Sequence, residues 1–213
     1  MTEAAILRLL TWLSPAFPTG AYANSHGLEF AVADGDVTDG VTLRAWLEDL
    51  LLLGPGRSDT ILLRHAHRAA ADPERLAEIA ELAAALAPGR ERRAETLGLG
   101  AAFATAAAPW GGVAPAAYPV AVGALAGRSD IFADDAATAY LQAFVANLVV
   151  AAVRLVPLGQ SAGLVVLAAL EPTMLAVLED TKNAGLDDLG GACWRSDIAA
   201  MRHETQYTRL FRT

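Results

Sequence analysis

Asp134-Asp135-Ala136-Ala137-Thr138-Ala139-Tyr140-Leu141-Gln142-Ala143-Phe144-Val145-Ala146-Asn147-Leu148-Val149-Val150-Ala151-Ala152-Val153-Arg154-Leu155 is the stretch that decides the fold class. Nothing between Ala136 and Val153 is charged, a run close to the ~18 apolar residues that mark a membrane-spanning helix. Its polar interruptions argue otherwise. Gln142 and Asn147 sit inside the run, Arg154 ends it and Pro157 follows, while Asp130, Asp134 and Asp135 flank its start with only Arg128 as a basic anchor. The stretch therefore reads as the buried central helix of a soluble bundle, a hub that other helices must cover.

Working outward, almost every periodic segment has helical spacing, and none shows sustained alternation with β-branched enrichment. An amphipathic helix over 3–13 is broken by Ser14-Pro15-Ala16-Phe17-Pro18-Thr19-Gly20, and a short helix follows over 25–32. Thr42 is expected to cap the next helix, whose core stripe is Leu43, Trp46, Leu47, Leu50 and Leu51 and whose end is Gly54-Pro55-Gly56. Ser58 or Asp59 is expected to cap a helix to 70, and Asp72-Pro73 opens another to about 86. Further helices are expected over 90–107, 115–126, 134–155, 160–170 and 172–184. Asp187-Asp188-Leu189-Gly190-Gly191 then forms a joint before a helix in the tail. The expectation is an all-α, single-domain bundle of about ten helices, with 1–190 as the body and 191–213 as a C-terminal interaction segment of the same domain.

Composition narrows the function classes. A hydrophobic share of 54% with 19% charged residues leaves more apolar surface than one core of this size requires, which suggests a subunit interface or a membrane contact. The net charge of −8 argues against a nucleic-acid binder, and the mixed run Arg90-Glu91-Arg92-Arg93 reads as a solvated helix surface. Cys193 is the single cysteine, so neither a disulfide framework nor a multi-thiolate zinc site is available, as befits the cytoplasm. The first residues have no basic stretch followed by a cleavable apolar run, and do not read as a signal peptide.

No segment has the pattern of an active site. Gly54-Pro55-Gly56-Arg57-Ser58 lacks the Gly-Lys-Ser/Thr of a phosphate loop, and Gly98-Leu99-Gly100 lies within a helix, where it reads as a close helix contact. His203-Glu204-Thr205-Gln206-Tyr207 starts like a zinc-protease helix, yet Tyr207 stands where the second histidine is needed. His65 and His67 diverge on their helix. Gly159-Gln160-Ser161-Ala162-Gly163 misses the serine-hydrolase elbow by one residue. A small helical enzyme remains the alternative, its site assembled by folding from His26, Glu29, His203 and Glu204.

The tail is unusual for a chain end. Residues 194–213 spend Trp194, Ile198, Met201, Tyr207, Leu210 and Phe211, interleaved with Arg195, Arg202, Arg209 and Arg212, where terminal segments are ordinarily polar. Trp194, Ile198 and Met201 share one helical face, and the aromatic and arginine residues after them are of the types that dominate binding hot spots. Two readings fit: a last helix docked on its own core, or a segment that a partner covers. In the N-terminal block, Ser14, Pro15, Pro18 and Gly20 form either a rigid turn presenting Tyr22, Ser25 and His26 or a packed connector. Pro157-Leu158-Gly159-Gln160 is a helix break that leaves backbone groups free.

Three of these blocks carry a family resemblance. Asp-Ile-Ala-Ala-Met-Arg-His-Glu-Thr-Gln-Tyr-Thr-Arg-Leu-Phe-Arg (197–212) resembles the C-terminal signature of the UreF family of urease accessory proteins. Leu10 to Tyr22 followed by Ser25-His26-Gly27-Leu28-Glu29 is similar to its N-terminal block, and Val156-Pro157-Leu158-Gly159-Gln160 to its middle block. The chain departs from the pattern at Ala23-Asn24, Ala162 and Thr213, and 88–127 carries no family motif. The resemblance implies a non-catalytic, cofactor-free, homodimeric adaptor in nickel-dependent urease maturation. It also implies binding to the accessory protein UreD or UreH through the C-terminal segment, recruitment of the GTPase UreG, and coupling of GTP hydrolysis to nickel delivery to the urease apoenzyme, with a water-filled passage inside the complex as one route. On that reading Ile198, Met201, Arg202, His203, Glu204, Gln206, Tyr207, Arg209, Leu210, Phe211 and Arg212 belong to the partner-binding segment.

Overall fold

One helix of 23 residues, α8 (Ala133–Leu155), runs through the middle of the molecule. The structure is a computed structural model that describes residues 2–213. Around α8 the described residues place α1 (Glu3–Trp12), α2 (Leu28–Ala33), α3 (Gly40–Leu53), α4 (Pro55–Arg68), α5 (Pro73–Ala85), α6 (Arg90–Ala106), α7 (Tyr118–Arg128), α9 (Gly159–Ala169), α10 (Glu171–Asp180) and α11 (Trp194–His203), with no strand among them. The fold is all-α, as the periodicity required.

Two apolar clusters meet on α8, which explains why the helix is apolar on more than one face. Leu141, Val145, Leu148 and Ala152 join Leu28, Leu43, Trp46, Leu47, Leu50 and Leu51 in one. One turn earlier, Ala136, Ala137 and Tyr140 join Trp12, Phe17, Phe103 and Leu125 in the other. A large apolar side chain enclosed in this way contributes roughly 1.5–3 kcal/mol, so neighbouring helices hold the packed faces of α8. A second apolar run, Gly159–Asp180, also meets the length and composition of a spanning helix, but it is divided into α9 and α10 before Glu171-Pro172.

Small residues set the tightest contact. A Cβ on Gly123 would lie 2.2 Å from the Leu63 carbonyl oxygen, and one on Gly127 would lie 2.5 Å from that of His67, so α7 rests directly on the α4 backbone. Gly100 of α6 approaches the Ala116 backbone in the connection before α7 in the same way, whereas Gly98 faces open space, so only one glycine of Gly98-Leu99-Gly100 makes a close contact, and not with a helix.

Two helix caps differ from expectation, and α2 and α7 each start three residues later than expected, at Leu28 and Tyr118. Asp39, not Thr42, caps α3: its carboxylate accepts from Val41 and Thr42 N–H, while Thr42 supplies the return half of a capping box. Helix α4 begins at Pro55, so Ser58 and Asp59 lie within it instead of capping it. Pro at the first position is preorganised there, and a Cβ on Gly56 would strike Leu51. Asp72 caps α5 as read, accepting from Arg75 N–H.

Candidate functional site

Residues 194–213 lie across α2 and α6, and the contact is mostly polar. It begins with a steric requirement. Gly27 has φ +77°, and a Cβ there would come within 2.8 Å of the Ala200 nitrogen, so only glycine lets the start of α2 meet α11. Behind it, Leu28 is enclosed in the core and Glu29 is turned inward toward the tail.

Glu29 is the main receptor for that tail. Its carboxylate accepts the backbone N–H of Leu210 at 2.6 Å and of Phe211 at 2.8 Å, and meets His203 Nε2 at 3.1 Å. The other ring nitrogen, Nδ1, lies 2.7 Å from Glu91 on α6, whose second oxygen takes Arg209 at 2.6 Å. His203 has no exposed surface. Glu204 reaches back to the Glu91 N–H at 3.2 Å and to Arg90 at 3.3 Å. Further on, Arg212 N–H donates to Ala23 O at 2.8 Å, and the Thr213 carbonyl accepts from the Ser25 N–H and hydroxyl. A buried charge survives only when paired and hydrogen-bonded, and here each carboxylate has partners on the tail.

A single carboxylate then links the tail to the interior. Glu95 Oε2 accepts the Thr213 hydroxyl at 2.5 Å and is paired with Arg92, while Oε1 lies 2.8 Å from His26 Nδ1. Burial works to raise Glu95, but the Arg92 charge and then His26 hold its carboxyl far below the usual range. His26 is itself lowered, first by burial and then by Arg92, with Glu95 opposing. Among the described residues its Nε2 has no hydrogen-bond partner. The ring packs edge-on to Phe144 of α8, and φ +62° at His26 shows that the position is set by the surroundings rather than by local preference.

Two cavities meet at this histidine. One, of about 210 Å³, extends toward Pro55, Pro88, Cys193 and Ser196. The other, of about 250 Å³, extends past Tyr118 and Tyr140 to Ser14, Pro15 and Tyr22. His26, Asp59, Arg92 and Thr96 line both. Asp59 is pushed up to about 6 by burial, against the opposing hydrogen bond from Tyr140 (2.8 Å) and the Arg92 charge. The Cys193 thiol is pushed up to about 11, chiefly by burial, and is no ready nucleophile. Among the described residues, no group of three or more His, Cys, Asp or Glu is arranged to hold a metal.

The expected site residues thus divide. Ile198, Met201, Arg202, Tyr207, Arg209, Leu210 and Arg212 are exposed, Gln206 and Glu204 are half-buried, and His203 and Phe211 are enclosed by their own chain. Phe211 fills the cluster around Leu28, under the Arg154 guanidinium 4.5 Å from its ring. In the N-terminal block Tyr22, Pro15 and Pro18 are exposed, and Ser14 and Gly20 are partly covered. Ser25, however, is buried, as is His26, so neither is displayed as the rigid-turn reading has it. Leu158 is half-buried, whereas Pro157, Gly159 and Gln160 are exposed, so the free backbone groups of that break reach solvent.

Arg92 and Glu95 overturn the reading of the basic run on α6 as a solvated face. Both are buried, because the i, i+3 ion pair together with His26 and Thr213 offsets their desolvation. In the sequence Asp59 reads only as a helix cap and Glu91 as a solvated charge, and Glu95 and Tyr140 carry no site signal; only the i, i+3 spacing of Arg92 and Glu95 hints at a pair.

Comparison with known proteins agrees with this architecture. The UreF family model matches residues 37–171. The chain is 50% identical to the urease accessory protein UreF of Mesorhizobium japonicum over 218 residues, covering 100% of this chain and 98% of the relative. It is likewise 50% identical to that of Cereibacter sphaeroides, covering 99% and 100%, and to that of Rhizobium leguminosarum, covering 98% and 96%. With a seated tail, a glycine-tight α2–α11 contact and likeness over its whole length, the chain belongs to the UreF family of urease accessory proteins.

Proposed function

We propose that the protein is a non-catalytic cytoplasmic adaptor in nickel-dependent urease maturation. It bridges UreD or UreH and the GTPase UreG, and couples GTP hydrolysis to delivery of nickel to the urease apoenzyme. The observation that carries this reading is the tail: residues 191–213 are hydrogen-bonded to buried carboxylates yet turn Tyr207, Leu210, Ile198 and Met201 outward. A preorganised segment loses little entropy on binding, and exposed aromatic and arginine groups on it are suited to a partner. Within the same domain, this segment is the interaction module for UreD or UreH.

Three further features support the adaptor. Leu164 and Val165 on α9 and Leu175 on α10 form an exposed apolar surface that a second copy of the chain covers in a homodimer. The two cavities that share His26 as a lining residue are suited to a water-filled passage for nickel as cargo. The enzyme alternative is disfavoured by the fate of its residues: both His203 nitrogens are engaged by Glu29 and Glu91, and Glu29 is filled by tail amides, so neither can address a substrate.

The test is a pull-down from cells expressing the urease gene cluster, comparing the parent chain with a Tyr207→Ala/Leu210→Ala variant. Point substitutions replace deletion of 194–213, because removing Phe211 would open the core. Loss of UreD or UreH from the variant, with its helicity unchanged, is the expected result; undiminished capture would overturn the assignment of the tail.

A further inference from the structure

Glu95 divides its two oxygens between the tail and the cavities. On one side stands the Thr213 hydroxyl at 2.5 Å, on the other His26 Nδ1 at 2.8 Å, with Arg92 alongside. The imidazole N–H at Nδ1 donates to the carboxylate, so Nε2 is left as an acceptor that is buried and has no hydrogen-bond partner among the described residues, on a ring that lines both cavities. Thr213 is the tail residue that contacts this group. We propose that Glu95 is a positioning residue through which the seating of the tail fixes the His26 ring, so that moving Thr213 off Glu95 changes what the cavity junction presents. The consequence for function rests on the reading of the tail as the docking segment: a partner that shifts the tail then resets the junction from a distance.

The direction of the change follows from the charges around the ring. Arg92 and Glu95 face it from α6, Asp59 lines the same cavities from α4, and Cys193 and Asp197 line one of them from α11 and the residue before it. With Thr213 seated, burial and Arg92 disfavour the imidazolium. Loss of the hydroxyl removes a donor from Glu95, leaves more of its negative charge to act on His26, and opens the group to water. Each of these favours the protonated ring. Nε2 then becomes a cationic donor in place of a neutral acceptor, inverting its preference for anything lodged at the junction.

The experiment is NMR of the full chain labelled with ¹³C and ¹⁵N in histidine, following the His26 ring against pH, with His26→Gln to assign its signals. Thr213→Val should raise the His26 midpoint by about half a pH unit or more. Thr213→Ser, which keeps the hydroxyl, should restore the parent curve. Arg209→Ala breaks a tail contact to Glu91 and not to Glu95, and should leave His26 unmoved. A parent-like His26 curve in Thr213→Val, or an equal shift in Arg209→Ala, would overturn the proposal. Thr213→Ala gives the same readout should valine not be accommodated. No partner is in the tube, so failure here leaves the docking reading standing, and failure of partner capture leaves the coupling standing.

Discussion

Glu29 and Phe211, 182 positions apart, are joined by a 2.8 Å hydrogen bond from the Phe211 amide to the Glu29 carboxylate. The contact reads the backbone, and it fixes which side chains of the tail point outward: Phe211 faces the core and Leu210 faces solvent. Glutamine at position 29 would place an amide nitrogen where an acceptor is needed, leaving a buried donor unpaired at a cost of about 1–3 kcal/mol. Glu29→Gln should lower the urea midpoint of unfolding accordingly; an unchanged midpoint would show that the tail is not held through this residue.

Stability and binding should separate cleanly between two neighbouring aromatic residues. Phe211→Ala empties a core site and should cost roughly 3–5 kcal/mol of stability. Tyr207, fully exposed, should change stability by less than about 0.5 kcal/mol when replaced by alanine. Its loss should instead appear in partner affinity, at about 2 kcal/mol or more. Denaturant unfolding and calorimetric titration of the same two variants decide between these fates.

Asp59 makes stability depend on pH. Its folded value is raised from 3.8 to about 6 by burial, so its neutral form is favoured by folding. That contribution is complete below about pH 4 and is lost as pH rises through 6, on the order of 2–3 kcal/mol in all. Asp59→Asn keeps an acceptor for Tyr140 and removes the titration. The fall in its stability between pH 4 and 7 should therefore be shallower than in the parent, measured by urea unfolding at each pH.

Gly123 sets the spacing of α4 and α7. A methyl group there meets the Leu63 carbonyl oxygen at 2.2 Å, and backbone cannot rotate aside as a side chain does. Gly123→Ala should destabilise by about 1–3 kcal/mol or more through overpacking, against a gain of up to ~1 kcal/mol for alanine on an open helix surface. Thermal unfolding followed by circular dichroism gives the sign.

The helical frame was legible because burial leaves a period. Leu43, Trp46, Leu47 and Leu50 repeat at helical spacing and form the core face of α3, and the uncharged run of α8 announced the hub. Half of the tail was legible as well, since aromatic and arginine residues at a chain end signal contact of some kind. Whether Phe211 pointed inward or outward was not, because an aromatic residue suits a core and an interface equally. The receiving half was hidden for a different reason. Glu91, Arg92 and Glu95 look like an ordinary solvated charge run, and only the tertiary approach of His26, His203 and Thr213 supplies the partners that allow burial. The capping of α3 by Asp39 was missed because Asp39 and Thr42 are both good capping residues, and the box uses them together.

The central claim is that the seated tail is a preformed docking surface. It is tested most directly by calorimetric titration of purified UreD or UreH into the parent chain and into Tyr207→Ala, with urea unfolding of both as the stability control. Tyr207→Ala should bind about thirtyfold or more weakly, the equivalent of about 2 kcal/mol, at unchanged stability. Equal affinity for the two chains would contradict it.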